Sequence, residues 1–278
     1  MSRSKAAAYL PEHGSAVKSL ITICESHFRI NDTLIRLSLA TVQALNPYML
    51  TLYHHPFSPS SRFVRLILSE YGATFEERHV NPWERPQELL VLNAAGSVPV
   101  MVENEGPAIC GAGPIMEYLD ETRGYAVADR RLMPDHPEAR AETRRLVDWC
   151  LSKFDQEVVG HLVRERIYKQ IMPKSSGGGE PDSAALRVAR ANIHHHLKYF
   201  GYLVASRRWL GGDRLSFADF ALAGELSCAD YLGEVVWSQE EDVKNWYARV
   251  KSRPSMRPLL AEKVLGMPPA PAYADLDF

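Results

Sequence analysis

The stretch Leu52–Leu68, LYHHPFSPSSRFVRLIL, changes character in its middle. Its first residues read as a short strand, and after a proline-serine loop the residues from Ser60 onward carry the spacing of an amphipathic helix. Ser58 falls at the start of that helix. A side chain placed there meets free backbone N–H groups and the positive end of the helix dipole, so the position suits holding an anion or lowering a thiol pKa.

Read outward, the apolar period keeps switching within about eighty residues, as in a small α/β unit. MLTLYHH, from Met49, is strand-like, and SRFVRLILSEYG is a helix stopped at Gly72. TFEERHV is a second strand, RPQELLVLN a short helix, and VPVMVENEGPAIC two strands joined by a turn. PIMEYLDETRG is a helix stopped by Gly124. The order β-α-β-α-β-β-α is a thioredoxin-like arrangement with one parallel pair and one hairpin, assigned to residues 49–128.

An all-helical domain is expected over 129–262. Asp135 and Pro137 suit a helix start, and Val147, Leu151, Phe154, Val158 and Leu162 recur on one face as far as a stop at Pro173. KSSGGGEPDS reads as a flexible loop, since its glycines lack the Lys-Ser/Thr of a phosphate loop. A second helix covers about 184–206. Ser216 and Asp219 form a capping box for another. Residues 263–278 are a proline-rich acidic tail whose arm presents Tyr273, Leu276 and Phe278 between Asp275 and Asp277. Residues 1–48 are a leader, read either as disordered or as an artefact of the assigned start, with Met49 the expected initiator.

Composition removes several classes. A chain of 278 residues with a net charge of −2 has no basic excess for nucleic acid. It has no apolar run of the ~18 residues that span a bilayer. Its four cysteines, Cys24, Cys110, Cys150 and Cys228, form no C-x-x-C pair and suit buried thiols in a reducing cytoplasm. No metal site is expected, because His194, His195 and His196 would project about 100° apart from one helix and read as a solvated face. Arg144, Arg145, Arg164, Arg166 and Lys169 read mainly as surface charge, with a groove for an acidic partner as the alternative.

With LYHHPFSPSSRFVRLIL, NAAGSVPVMVENEG, IMEYLDE and GDRLSFADFALAGEL in this order, the chain over 49–262 resembles the cytosolic glutathione transferases. The resemblance implies a thioredoxin-like N-terminal domain followed by an all-helical one. It also implies a ligand groove in three parts. Ser58 stands where the family stabilises the glutathione thiolate, with serine replacing the thiol of the cysteine classes, so disulfide exchange is not expected; simple helix capping is the other reading. Pro99 stands where the family has a cis proline, which turns the backbone of Val98 toward an extended peptide.

The third part departs from the pattern. The family's Glu-Ser pair, which holds the γ-glutamyl end of glutathione, is replaced by Gly111 and Ala112. Each lost charge-assisted hydrogen bond weakens the ligand by roughly 1.5–3 kcal/mol, so glutathione should bind poorly and no cofactor is expected.

Within the family, the loop HHPFSPSSRFVRL, the Gly-Ala-Gly-Pro replacement and the terminus PPAPAYADLDF resemble the FtsZ-localised transferase-like proteins of bacterial cell division. That resemblance implies a non-catalytic, cytoplasmic homodimer at the division site that binds FtsZ polymer and promotes constriction. Asp275, Asp277 and Phe278 are its expected partner-binding residues, with a second division protein as the tail's partner. The alternative is a glutathione transferase that uses Ser58.

Overall fold

The computed structural model describes residues 50–275. The leader 1–48, Met49, Cys24, Leu276, Asp277 and Phe278 lie outside the described residues. Strand β1 (Leu50–His54) buries every second side chain, and helix α1 (Pro59–Glu70) covers that face with Phe63, Val64, Leu66 and Ile67. Strand β2 (Glu76–His79), helix α2 (Gln87–Leu92), strands β3 (Val100–Glu103) and β4 (Ile109–Cys110), and helix α3 (Ala112–Arg123) follow. The sheet order is β2-β1-β3-β4. β1 runs parallel to β2, pairing His54 with His79, and antiparallel to β3, which pairs antiparallel with β4. This is the arrangement expected from the sequence.

The helical half begins with α4 (Pro137–Asp148), whose N-cap is His136 rather than Asp135. Asp135 instead pairs with Arg131 at 3.3 Å. The helix continues without a break through π-helical Trp149–Val159 and Arg164–Tyr168 to Ile171. KSSGGGEPDS is not a free loop, since the N–H groups of Gly178 and Gly179 donate back to Pro173 O and Lys169 O at 3.0 Å. Helix α5 (Ser183–Ser206) is capped by Asp182, whose side chain accepts from Ala184 and Ala185 N–H. After α6 (Phe217–Tyr231) come α7 (Glu241–Lys251) and the short α8 (Arg257–Ala261).

Helix α6 is the centre of the molecule, with all its residues buried. It lies against α1 so closely that a Cβ on Gly224 would stand 3.0 Å from Phe63 N and 3.1 Å from Pro59 O. One apolar core therefore runs from Leu50 and Phe63 through Phe217 and Phe220 to Trp246 and Tyr273. No helix among the described residues is long and apolar enough to cross a membrane.

The start of α6 rests on Asp219. Its Oδ2 accepts from Ser216 N–H at 2.9 Å, completing the expected capping box, while Oδ1 accepts from Leu210 N–H at 2.8 Å and Trp246 Nε1 at 2.9 Å. The cap thus also ties α7 and the preceding loop. Asp219→Ala should lower unfolding free energy by about 3 kcal/mol or more, because it removes a cap and leaves buried donors unpaired. In urea unfolding the midpoint should fall with little change of slope.

Candidate functional site

The loop between β1 and α1 is a tight turn. Ser58 N–H donates to His55 O at 3.0 Å, and Phe57 N–H donates to His55 Nδ1 at 3.2 Å. Ser58 is the N-cap of α1; its Oγ accepts from Ser61 N–H at 3.3 Å and lies 3.1 Å from Ser60 Oγ. Ser58 is 7 % exposed, and its hydroxyl is already engaged in capping.

The Val98–Pro99 peptide bond is cis. Pro99 O accepts from Gly111 N–H at 2.9 Å, so the second and third parts of the groove meet directly. Gly111 caps α3 with φ +92° and ψ 150°, in a region open essentially to glycine alone. The nearest neighbour of a Cβ there would be Pro114 Cδ at 3.6 Å, which leaves room. Backbone strain, not crowding, thus opposes a carboxylate side chain at position 111. Ala112 is buried in the first turn of α3.

An aromatic cluster closes over the other side of the loop. His55 lies 4.8 Å from Tyr168 and 5.4 Å from Trp83, which are themselves 5.1 Å apart, ring centre to ring centre. Tyr168 comes from the helical half, so the cluster joins the two halves beside the loop. Burial pushes the His55 imidazole down to about 4, aided by His54, His79 and Arg62 nearby. Burial raises the Tyr168 phenol.

Arg62 is fully buried beneath the loop. Nε donates to Pro56 O at 2.7 Å, Nη1 to Ser227 Oγ at 2.9 Å and Tyr273 OH at 3.3 Å, and Nη2 to Glu262 at 3.2 Å. Its guanidinium also lies 4.2 Å from the Phe57 ring centre. The tail's Tyr273 is therefore not presented to a partner. It is fully buried, donates to Leu259 O at 2.7 Å, and is followed by exposed Asp275. Lys251 Nζ donates to Ala272 O at 2.7 Å and Tyr231 OH to Met267 O at 2.5 Å, which fasten the tail as far as Tyr273. Apolar and hydrogen-bonding partners on its own helical half outweigh the stiffness of the prolines.

Other residues are placed differently from the sequence reading. His194 and His195 are exposed, but His196 is fully buried, with Trp149 Nε1 donating to its Nδ1 at 3.1 Å and Glu157 at 2.9 Å from its Nε2. The basic run on the long helix is largely neutralised within the chain. Arg144 binds Glu117 through two hydrogen bonds, Arg166 reaches Glu234 at 2.7 Å, and Lys169 reaches Glu165 at 2.5 Å. Cys150 and Cys228 are buried, and burial lifts the Cys228 thiol to about 12, which makes it a poor nucleophile.

Sequence reasoning missed two groups. Glu225 is fully buried in α6, with both carboxyl oxygens lacking a hydrogen bond among the described residues, and burial beside Asp155 raises its pKa far above the ordinary range. Its position in the apolar run FADFALAGELSCADY was the available signal. The other group, His54, Glu77 and His79, comes from two strands and becomes visible only when they pair.

Residues 52–126 match the family model described as glutathione S-transferase, N-terminal domain, and residues 163–263 match its C-terminal counterpart. The chain belongs to the glutathione S-transferase family. It is 43% identical over 231 residues to FtsZ-localized protein A of Caulobacter vibrioides, covering 82% of this chain and 98% of that one. A solved glutathione S-transferase from Sinorhizobium meliloti is 55% identical with a TM-score of 0.81, and the alignment covers 83% of this chain and all of that one. The structure of FzlA from C. crescentus is 42% identical with a TM-score of 0.77 at the same coverage.

His55 gives the transferase fold a pH dependence with a defined sign. Its folded pKa of about 4 lies below the value near 6.5 of an exposed imidazole, so between those limits the unfolded chain binds the additional proton. Stability from this group is complete above about pH 6.5 and declines as pH falls toward 4, by up to roughly 3 kcal/mol. Chemical denaturation at pH 7 and pH 4.5 should show the loss, and His55→Gln should reduce that pH-dependent difference.

Proposed function

We propose that this protein is a non-catalytic transferase-fold protein that binds FtsZ filaments at the division site and promotes envelope constriction. The observation that carries the reading is its likeness to FtsZ-localized protein A over almost the whole of that relative. The groove supports it chemically. The γ-glutamyl end of glutathione would meet Gly111 and Ala112, with no carboxylate or hydroxyl to hold its charges, and Ser58 Oγ is occupied in capping α1. No cofactor is required by this reading.

The protein acts as a homodimer in this reading, since two copies of one filament-binding surface raise avidity and can bridge filaments. The body, not the tail, is the filament-binding part. The terminal acids, Asp275 and Asp277, with Phe278, are offered to a second division protein beyond the point where Tyr273 anchors the chain. Reversing charge with Asp275→Lys should leave FtsZ binding in place and impair constriction in cells. Loss of filament binding in that variant would place the tail within the FtsZ site.

Co-sedimentation with polymerised FtsZ tests the main reading. The full chain should pellet with filaments, and a chain that stays in the supernatant at micromolar concentrations of both proteins would overturn it. A second reading, a glutathione transferase using Ser58, draws support from the 55% identity to the Sinorhizobium meliloti transferase. Conjugation of glutathione to a generic electrophile should be at background at millimolar glutathione. Turnover abolished by Ser58→Ala would favour the enzyme instead.

A further inference from the structure

β1 buries Leu50, Leu52 and then His54 on one face, so a histidine occupies a place where the alternation calls for an apolar residue. His54 is fully buried, and neither ring nitrogen has a hydrogen-bond partner among the described residues. Burying such a ring without partners is costly, and what it faces is a set of metal-binding atoms. Its Nε2 lies 3.6 Å from Glu77 Oε2, beyond a hydrogen bond, and His79 Nε2 lies 3.8 Å from the same oxygen. One donor atom from each of the three residues falls within 4.8 Å of the others.

We propose that His54, Glu77 and His79 bind one borderline divalent transition metal, with Zn2+ as the expected ion. Two imidazoles and a carboxylate form a recognised zinc donor set, and the first-row order of affinities favours zinc over iron and manganese at nitrogen ligands. Bonds of about 2.0–2.1 Å place tetrahedral donors roughly 3.3 Å apart, so the set must contract modestly. His79 is 61 % exposed at the sheet edge, with its ring edge-on to that of His54 at 4.6 Å, and is the member of the set with room to make that adjustment.

The surroundings are arranged to hold the carboxylate in place. Arg65 Nε donates to Glu77 Oε1 at 2.8 Å, which leaves Oε2 directed at the two histidines, as an outer-shell partner does for a ligating carboxylate. The charge of Arg65 is itself offset by Glu262, 2.6 Å from its Nη1. Three protein ligands leave a fourth position to water at the exposed edge. The bound ion would clamp β2 to the end of β1, directly before the Ser58 turn.

The test is calorimetric titration of the chelator-treated full chain with ZnCl2, alongside thermal unfolding with and without the metal. We expect one equivalent bound with micromolar or tighter affinity, and a rise in Tm of roughly 5–10 °C at a hundredfold excess over Kd. His79→Ala, at an exposed position, should weaken binding at least tenfold and cut the rise by about half or more at the same metal concentration. Glu77→Gln should weaken it as well. Absence of binding, or binding unchanged in both variants, as for metal held by the exposed His194 and His195, would overturn the proposal.

Discussion

A single buried guanidinium holds the molecule's separate parts in register. Arg62 projects from α1 into the space between the Pro56–Ser58 turn, α6, the segment after α8 and the tail, and its hydrogen bonds reach one acceptor in each. A charge so placed is tolerable only when every partner is present, and breaking a buried pair of this kind costs roughly 3–5 kcal/mol. Glu262 serves both Arg62 and Arg65, so the turn, the sheet edge and the end of the helical half share one electrostatic network. The close approach of α6 to α1 at Gly224 makes that network possible.

Much of this was legible in the sequence where the signal is local. The period changes around Leu52–Leu68 and the cap formed by Ser216 and Asp219 each depend on residues close together in the chain, and the cis bond before Pro99 was implied by the family resemblance. The readings that changed depend on what arrives from elsewhere. His196 is indistinguishable from His194 and His195 until Trp149 and Glu157 meet it across a helix pair. Tyr273 resembles any aromatic residue in a proline-rich tail until Arg62 and Leu259 supply its hydrogen bonds. Arg62 resembles any cation on an amphipathic helix, although its burial organises the fold.

In the groove the backbone framework and the side chains that would read a ligand are separate parts. The cis proline and the N–H of Gly111 are joined by a backbone hydrogen bond, so the framework is kept by the fold whether or not a peptide is held there. The side chains that would recognise glutathione are independent of that framework and can be replaced without disturbing it. At position 111 the backbone angles themselves now favour glycine. On the other side, His55, Trp83 and Tyr168 pack into a joint between the two halves. These ring contacts fix the loop that carries Ser58 against the helical half.

The anchoring of Tyr273 changes what a C-terminal deletion means. A stop codon placed before this residue would take away more than the acidic terminus: it would open a void under Arg62, remove the hydroxyl that its Nη1 reaches, and strip a hydrogen bond from Leu259 O. Such a truncated protein would be less stable, so a loss of partner binding in it would not identify a docking site. Only cuts after Tyr273 leave these contacts in place.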